Sequence, residues 1–256
     1  MEQIILSLLA GIFIGGVSGY LGTLMLSKRM SLVAGPLGHL TLPGITLALI
    51  YGFDVSLGAF PFVILGIFLI WLFELKTKLP MEALTAIVFA FGVAVAFLFL
   101  PIEKTETALI GDISKVGAKE VLFTFLFCLL VFVLVKKIYS QMVLINISED
   151  LAVAEKVNVK KYNLLYLLAV GMVVALGVKM VGGLLTAALV AIPASTARNL
   201  GRNLGSYKFW ATFLGILSAV LGILLFKITG LPAGPLIIIA SGFFFLLSLL
   251  FGSKTL

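Results

Sequence analysis

The chain has 256 residues, of which 62% are hydrophobic and 11% charged, with a net charge of +7 and a mean hydropathy of +1.25. Soluble globular domains carry about 25% charged residues, so this composition excludes a water-soluble domain and defines an integral membrane protein. No long polar stretch leaves room for an aqueous catalytic unit, and residues 1–256 read as one domain spread through the bilayer.

The first apolar run, 4–26, follows the acidic start Met1-Glu2-Gln3 and reads as a retained helix rather than a cleaved signal. Gly11, Gly15, Gly19 and Gly22 recur on it at spacings of four and three, a smooth face that another helix can approach closely. Packing inside one bundle is the expected use of that face, ahead of a dimer seam.

The second run, 32–53, contains the only histidine, His39. An ionisable, metal-binding side chain is costly in hydrocarbon and marks a functional candidate. On a continuous helix Gly35, His39, Leu42 or Pro43, and Thr46 would follow one another along one face. Pro43-Gly44 should kink that helix and free carbonyls one turn earlier. Together with Thr41 and Thr46, the imidazole would then make a way station for a cation. The alternative is a core histidine hydrogen-bonded to one of the freed carbonyls. Zinc takes about four ligands, so one imidazole is an incomplete site and two copies across a dimer axis would supply two.

Further crossings are expected at 56–73, 81–100, 119–136, 163–178, 180–197, 208–227 and 232–251. The lone Cys128 lies in an apolar run and reads as a small buried hydrophobe. The stretch 163–197 is too long for one crossing and is interrupted by Lys179 and Gly182-Gly183, so a tight hairpin of two short helices is expected. Gly215, Ser218 and Gly222 form a second small-residue face. The fold class is thus an all-α polytopic membrane protein of about nine crossings, or eight if one member of the hairpin is re-entrant.

With nine crossings, 13 of the 18 basic residues fall on one side, in the loops after the first, third, fifth and seventh spans and at the C-terminus. The positive-inside rule then places the N-terminus outside and the C-terminus in the cytoplasm. The excess of positive charge is a topology signal, and no nucleic-acid partner is implied.

The inner segment begins Ser148-Glu149-Asp150, a capping hydroxyl followed by acids that suit the positive end of a helix dipole. Leu151, Ala154 and Val157 share a face at helical spacing. A short amphipathic helix tethered between two spans is either a surface element at the headgroups or a docking element for a partner.

Here the residues resemble a family. The run from Ser148 to Asn163 is similar to the coupling segment of ATP-binding-cassette (ABC) permeases for zinc and manganese uptake, with Lys156 where that family usually has glycine. Val178 to Arg198, with its Ile-Pro-Ala, resembles the same family's later apolar run, and Leu231-Pro-Ala-Gly-Pro235 its last turn. Lys28-Arg29-Met30-Ser31 and His39-Leu40-Thr41-Leu42-Pro43-Gly44 resemble its first loop and second helix. The resemblance implies a multi-pass permease of the cell membrane that pairs with a second protomer, identical or not. It also implies a cytoplasmic ATP-binding-cassette ATPase and an extracytoplasmic substrate-binding protein. Glu149, Asp150, Leu151, Ala152, Ala154 and Val157 would couple to the ATPase, and a zinc- or manganese-type ion would be cargo passing His39.

This chain has no Gly-x-x-x-x-Gly-Lys-Ser/Thr loop, so ATP is expected only through the partner subunit, and no tightly bound cofactor is expected. The scarcity of intramembrane acids argues against an enzyme. The family usually carries an aspartate four residues before the histidine, and Gly35 stands there. A partner chain could carry the acid, the metal could pass with fewer fixed ligands, or the cargo could be chelated or not a metal. Glu82 and Asp112 are the acids nearest in kind. A passive channel would leave the tethered helix without a task.

Overall fold

Backbone amides in hydrocarbon must be satisfied within their own segment, so apolar runs of this length close into helices. The computed structural model describes residues 2–27, 34–53, 55–77, 79–99 and 116–251, and every regular element among them is α-helical. In chain order these are α1 (Glu2–Ser27), α2 (Ala34–His39), α3 (Leu42–Tyr51), α4 (Val55–Lys76), α5 (Met81–Phe99), α6 (Ala118–Ile147), α7 (Glu149–Ala154), α8 (Val159–Leu200), α9 (Leu204–Thr229) and α10 (Ala233–Phe251). Among the described residues six segments are long and apolar enough to span a bilayer, and α3 and Ala83–Phe99 are shorter apolar helices.

The first half of α8 is the axis of the bundle. Tyr166, Leu167, Ala169, Val170, Val173 and Val174 are inaccessible there, and α8 as a whole packs against α1, α2, α4, α6, α9 and α10. The expected hairpin takes the form of a break inside α8. Gly182 has φ 78° and ψ 167°, a conformation that only glycine adopts readily. Beyond it the chain returns upon itself, because a Cβ on Gly177 would lie 3.0 Å from the Thr186 methyl and 3.7 Å from Leu189. In a straight helix residues 177 and 189 would be about 18 Å apart.

The two small-residue faces meet each other. A Cβ on Gly15 would fall on the carbonyl of Gly215, one on Gly19 on the carbonyl of Ala211, and one on Gly11 on the Ile223 side chain. Gly11, Gly15 and Gly19 are therefore spent on α9 inside the protomer, while Gly22 meets the Val190 carbonyl of α8. Gly222 in turn receives Ile237 of α10.

Two expectations are corrected. The second crossing is not one helix over 32–53 but α2 and α3, separated by a turn at Leu40-Thr41. Pro43 explains the position of the break: inside a continuous helix its ring would collide with the carbonyl of His39, and it has no amide to donate there. At the start of α3 neither cost arises. Gly44 is not a loosened point, since it sits against the Gly58 backbone and locks α3 onto α4. The fifth span also runs further than 119–136. Residues 137–147 continue α6 by eleven positions, about 16 Å.

Candidate substrate pathway and coupling site

His39 is the last residue of α2 and is half-buried, its ring 5.4 Å from that of Phe89 on α5 at a 40° tilt. Among the described residues no hydrogen bond reaches the imidazole. Thr41 lies in the break itself and Thr46 in the first half of α3. Thr41 is inaccessible and donates its hydroxyl to the Gly38 carbonyl at 2.5 Å; Thr46 donates to the Leu42 carbonyl at 2.8 Å. Each hydroxyl has spent its proton on the backbone and keeps lone pairs, the arrangement of a group that can still face a cation.

The single face running from Gly35 to Thr46 does not survive, because the turn separates Gly35 and His39 from Pro43 and Thr46. Gly35 lies in α2, and its surroundings fall outside the described residues, as do Asp112 and the side chain of Glu82. Among the described residues no three His, Cys, Asp or Glu side chains come together. Among the described residues His39 is thus the candidate ligand of the second crossing, with threonine hydroxyls near it in the chain.

Ser148 caps α7 as expected, its hydroxyl accepting the Leu151 amide at 3.2 Å, and Glu149 and Asp150 stand exposed in the first turn. The face is different from the one expected. Ala152 is the inaccessible residue, while Leu151, Val153 and Ala154 point outward. Six residues make barely one and a half turns, too few for a 3.6-residue period to select a face, and contact with the end of α6 decides it instead. Val157 lies beyond the helix. Its amide bonds the Ala152 carbonyl at 2.9 Å while the Lys156 amide bonds Val153, the two reverse bonds of a Schellman cap. That cap needs a left-handed residue at its penultimate position, and Lys156 occupies it with φ 60°. Asn158 then starts α8 by accepting the Lys161 amide at 3.1 Å.

One polar contact escaped sequence reasoning. The buried Asn163 amide, in the first turn of α8, donates to Glu74 Oε1 at 2.9 Å and ties the end of α4 to the joint behind α7. The residues are 89 apart, so no local pattern announces the pair.

A bundle of long apolar helices with a broken second crossing and a capped helix projecting from one end defines a polytopic membrane transport protein. The chain belongs to the ABC 3 transport family, whose model matches residues 1–252. It is similar to the high-affinity zinc uptake system membrane protein ZnuB of Haemophilus influenzae, 26% identical over 95% of each chain. It is likewise similar to the manganese transport system membrane protein MntC of Listeria monocytogenes, 25% identical over 97% of this chain and 90% of that one. Among solved structures it resembles PsaBC from Streptococcus pneumoniae in complex with Fab, with a TM-score of 0.85 and 25% identity, covering 99% of this chain and 93% of that one. The chain is thus a multi-pass permease subunit of an ABC transporter, not an enzyme in its own right.

Proposed function

We propose that this permease imports a divalent metal ion of the zinc or manganese type, and that His39 lies on the ion's path at the break in the second crossing. The observation that carries the reading is the imidazole at the end of α2 with no hydrogen bond among the described residues, beside a turn whose threonine oxygens keep lone pairs. Relatives whose names specify zinc and manganese uptake support the cargo class. One imidazole per chain is compatible with two protomers meeting on an axis, so that each contributes one ligand.

In this reading the nine crossings are α1, α2 with α3, α4, α5, α6, the two halves of α8, α9 and α10. The N-terminus is outside and the C-terminus cytoplasmic. The exposed Leu151, Val153 and Ala154 of α7 seat in a groove of a cytoplasmic ATPase, which binds and hydrolyses the ATP, and an extracytoplasmic binding protein delivers the ion. Closure of the ATPase pair moves α7, and the Asn163–Glu74 contact passes that motion to α4 and so to α3.

The test is uptake by the assembled complex in sealed vesicles, with zinc, manganese and iron supplied singly and then as chelates. ATP-dependent accumulation of the free ion is expected. Accumulation of the chelate alone would replace this cargo with a chelated one, in keeping with Gly35 at the position where the family usually places an acid.

A further inference from the structure

The turn that ends α2 is seated in the bundle by the residue that follows His39. Leu40 is 4% exposed, and its side chain stands between two glycines on different helices, Gly66 of α4 and Gly92 of α5. A Cβ on Gly66 would lie 2.6 Å from Leu40 Cδ1, and one on Gly92 would lie 3.0 Å from Leu40 Cδ2. The three atoms nearest the first all belong to Leu40, and the second would meet nothing else within 4 Å. Each glycine thus leaves room for this one side chain. We propose that Leu40 is a positioning residue, whose seat between α4 and α5 fixes where the neighbouring His39 imidazole stands. This rests on the reading of His39 as a group on the ion's path.

The polar contacts of the turn are local. The Leu40 amide bonds the Pro36 carbonyl at 3.1 Å, and Thr41 gives both its amide and its hydroxyl to the Gly38 carbonyl. These bonds shape the turn but tie it to no other helix, so side-chain packing holds it in the bundle. Leu40 shares one buried apolar cluster with Val63 and Ile67 of α4 and with Leu84 and Val88 of α5. Leu42, on the far side of the turn, belongs to a separate cluster. An apolar cavity of about 450 Å³, lined in part by Leu40, Pro43, Gly66 and Gly92, lies beside the seat. Protein interiors are normally filled, so this space leaves the turn room to shift unless the seat holds it.

The same wall touches the imidazole directly. Phe89, three residues before Gly92 and so on the same face of α5, sets its ring 5.4 Å from that of His39. α5 therefore holds two consecutive residues of the turn, one by ring contact and one by a notch. Groups that orient a metal ligand govern affinity without touching the metal. An apolar seat one residue from the ligand acts in that way on a side chain that no hydrogen bond orients among the described residues.

Because His39 is the only histidine, the full-length permease labelled with 15N-histidine and carrying no histidine tag gives one set of imidazole signals. The test is solid-state NMR of that chain in bilayers, with and without zinc, alongside zinc uptake by the assembled complex. Wild type should show narrow signals that zinc shifts. Leu40→Ala should broaden or split them and raise the KM for zinc by about tenfold, the low end for loss of a group that orients a metal ligand, with the maximal rate kept. Gly92→Ala crowds Leu40 alone, so it should fold and displace the zinc-free His39 signals. Ile64→Ala, on the exposed face of α4, should leave signals and KM unchanged. Wild-type signals that zinc does not move would overturn the pathway reading itself. Signals and KM that are the same in wild type, Leu40→Ala and Gly92→Ala, with zinc shifting all three, would leave that reading standing and overturn the role of Leu40. A raised KM with the His39 signals unmoved would overturn it too.

Discussion

Lys156 sits in the left-handed region with φ 60°, where a β-carbon costs about 1 kcal/mol relative to glycine. The cap around it is otherwise complete, so the strain is held by the bonds from Lys156 to Val153 and from Val157 to Ala152. Lys156→Gly should therefore stabilise the 148–158 segment by about 1 kcal/mol, read as slower hydrogen exchange of the Val157 amide with transport retained. Faster exchange would mean that the lysine side chain itself holds the turn. This position also shows where sequence reasoning reaches its limit. The residue type at 156 hides the conformation, and only the glycine usual in related permeases hints at it. Pro43 is the opposite case. Its clash with a preceding carbonyl is a fixed geometric fact, so the break in the second crossing could be anticipated to within a turn, one turn before Pro43.

At the scale of elements, long apolar runs declare helices because a bilayer leaves the backbone no other partner. What such runs do not declare is which helix lies against which. The glycine face of α1 was visible in the sequence, but any helix with a matching face could have filled it, and only the structure pairs it with α9 and, at Gly22, with α8. Gly19→Val would place a side chain where the Ala211 carbonyl stands. It should cost about 3 kcal/mol or more as overpacking, seen as loss of monodisperse protein in size-exclusion chromatography. A Gly205→Val control, placed where a Cβ meets only the Asn203 side chain at 3.4 Å, should fold. Normal folding of Gly19→Val would show that α1 and α9 can separate. α7 was legible as a helix, from Ser148 and the two acids, but its face was not, because six residues carry too short a period. Leu151→Asp alters an outward side chain while Ala152 stays packed. It should leave the permease folded and reduce transport-linked ATP hydrolysis at least about tenfold, the loss of one apolar anchor in a groove. Full ATPase coupling in that variant would place the docking face elsewhere.

Across the whole molecule, α7 and the turn after His39 are connected through packed helices. α7 rides on an α6 that extends eleven residues past the span expected for it, and the joint behind α7 is bonded through Asn163 to Glu74 on α4. α4 is locked to α3 by the Gly44–Gly58 contact, and α3 follows the turn that separates it from His39. Membrane class and all-helical architecture could be read from composition and run lengths. The 89-residue link between Glu74 and Asn163 could not, because nothing local to either residue records it. The absence of an acid at Gly35 makes His39 the one strong donor of the second crossing, so the cargo reading depends on that side chain more than it would with an acid beside it. The decisive measurement is ATP-driven zinc and manganese uptake by the reconstituted complex, comparing wild type with His39→Ala and with His39→Gln. Uptake should fall by at least about tenfold in both variants, the loss of one ligand interaction worth at least about 1.4 kcal/mol, while complex assembly and basal ATP hydrolysis persist. Metal uptake at the wild-type rate in either variant would contradict a pathway role for His39.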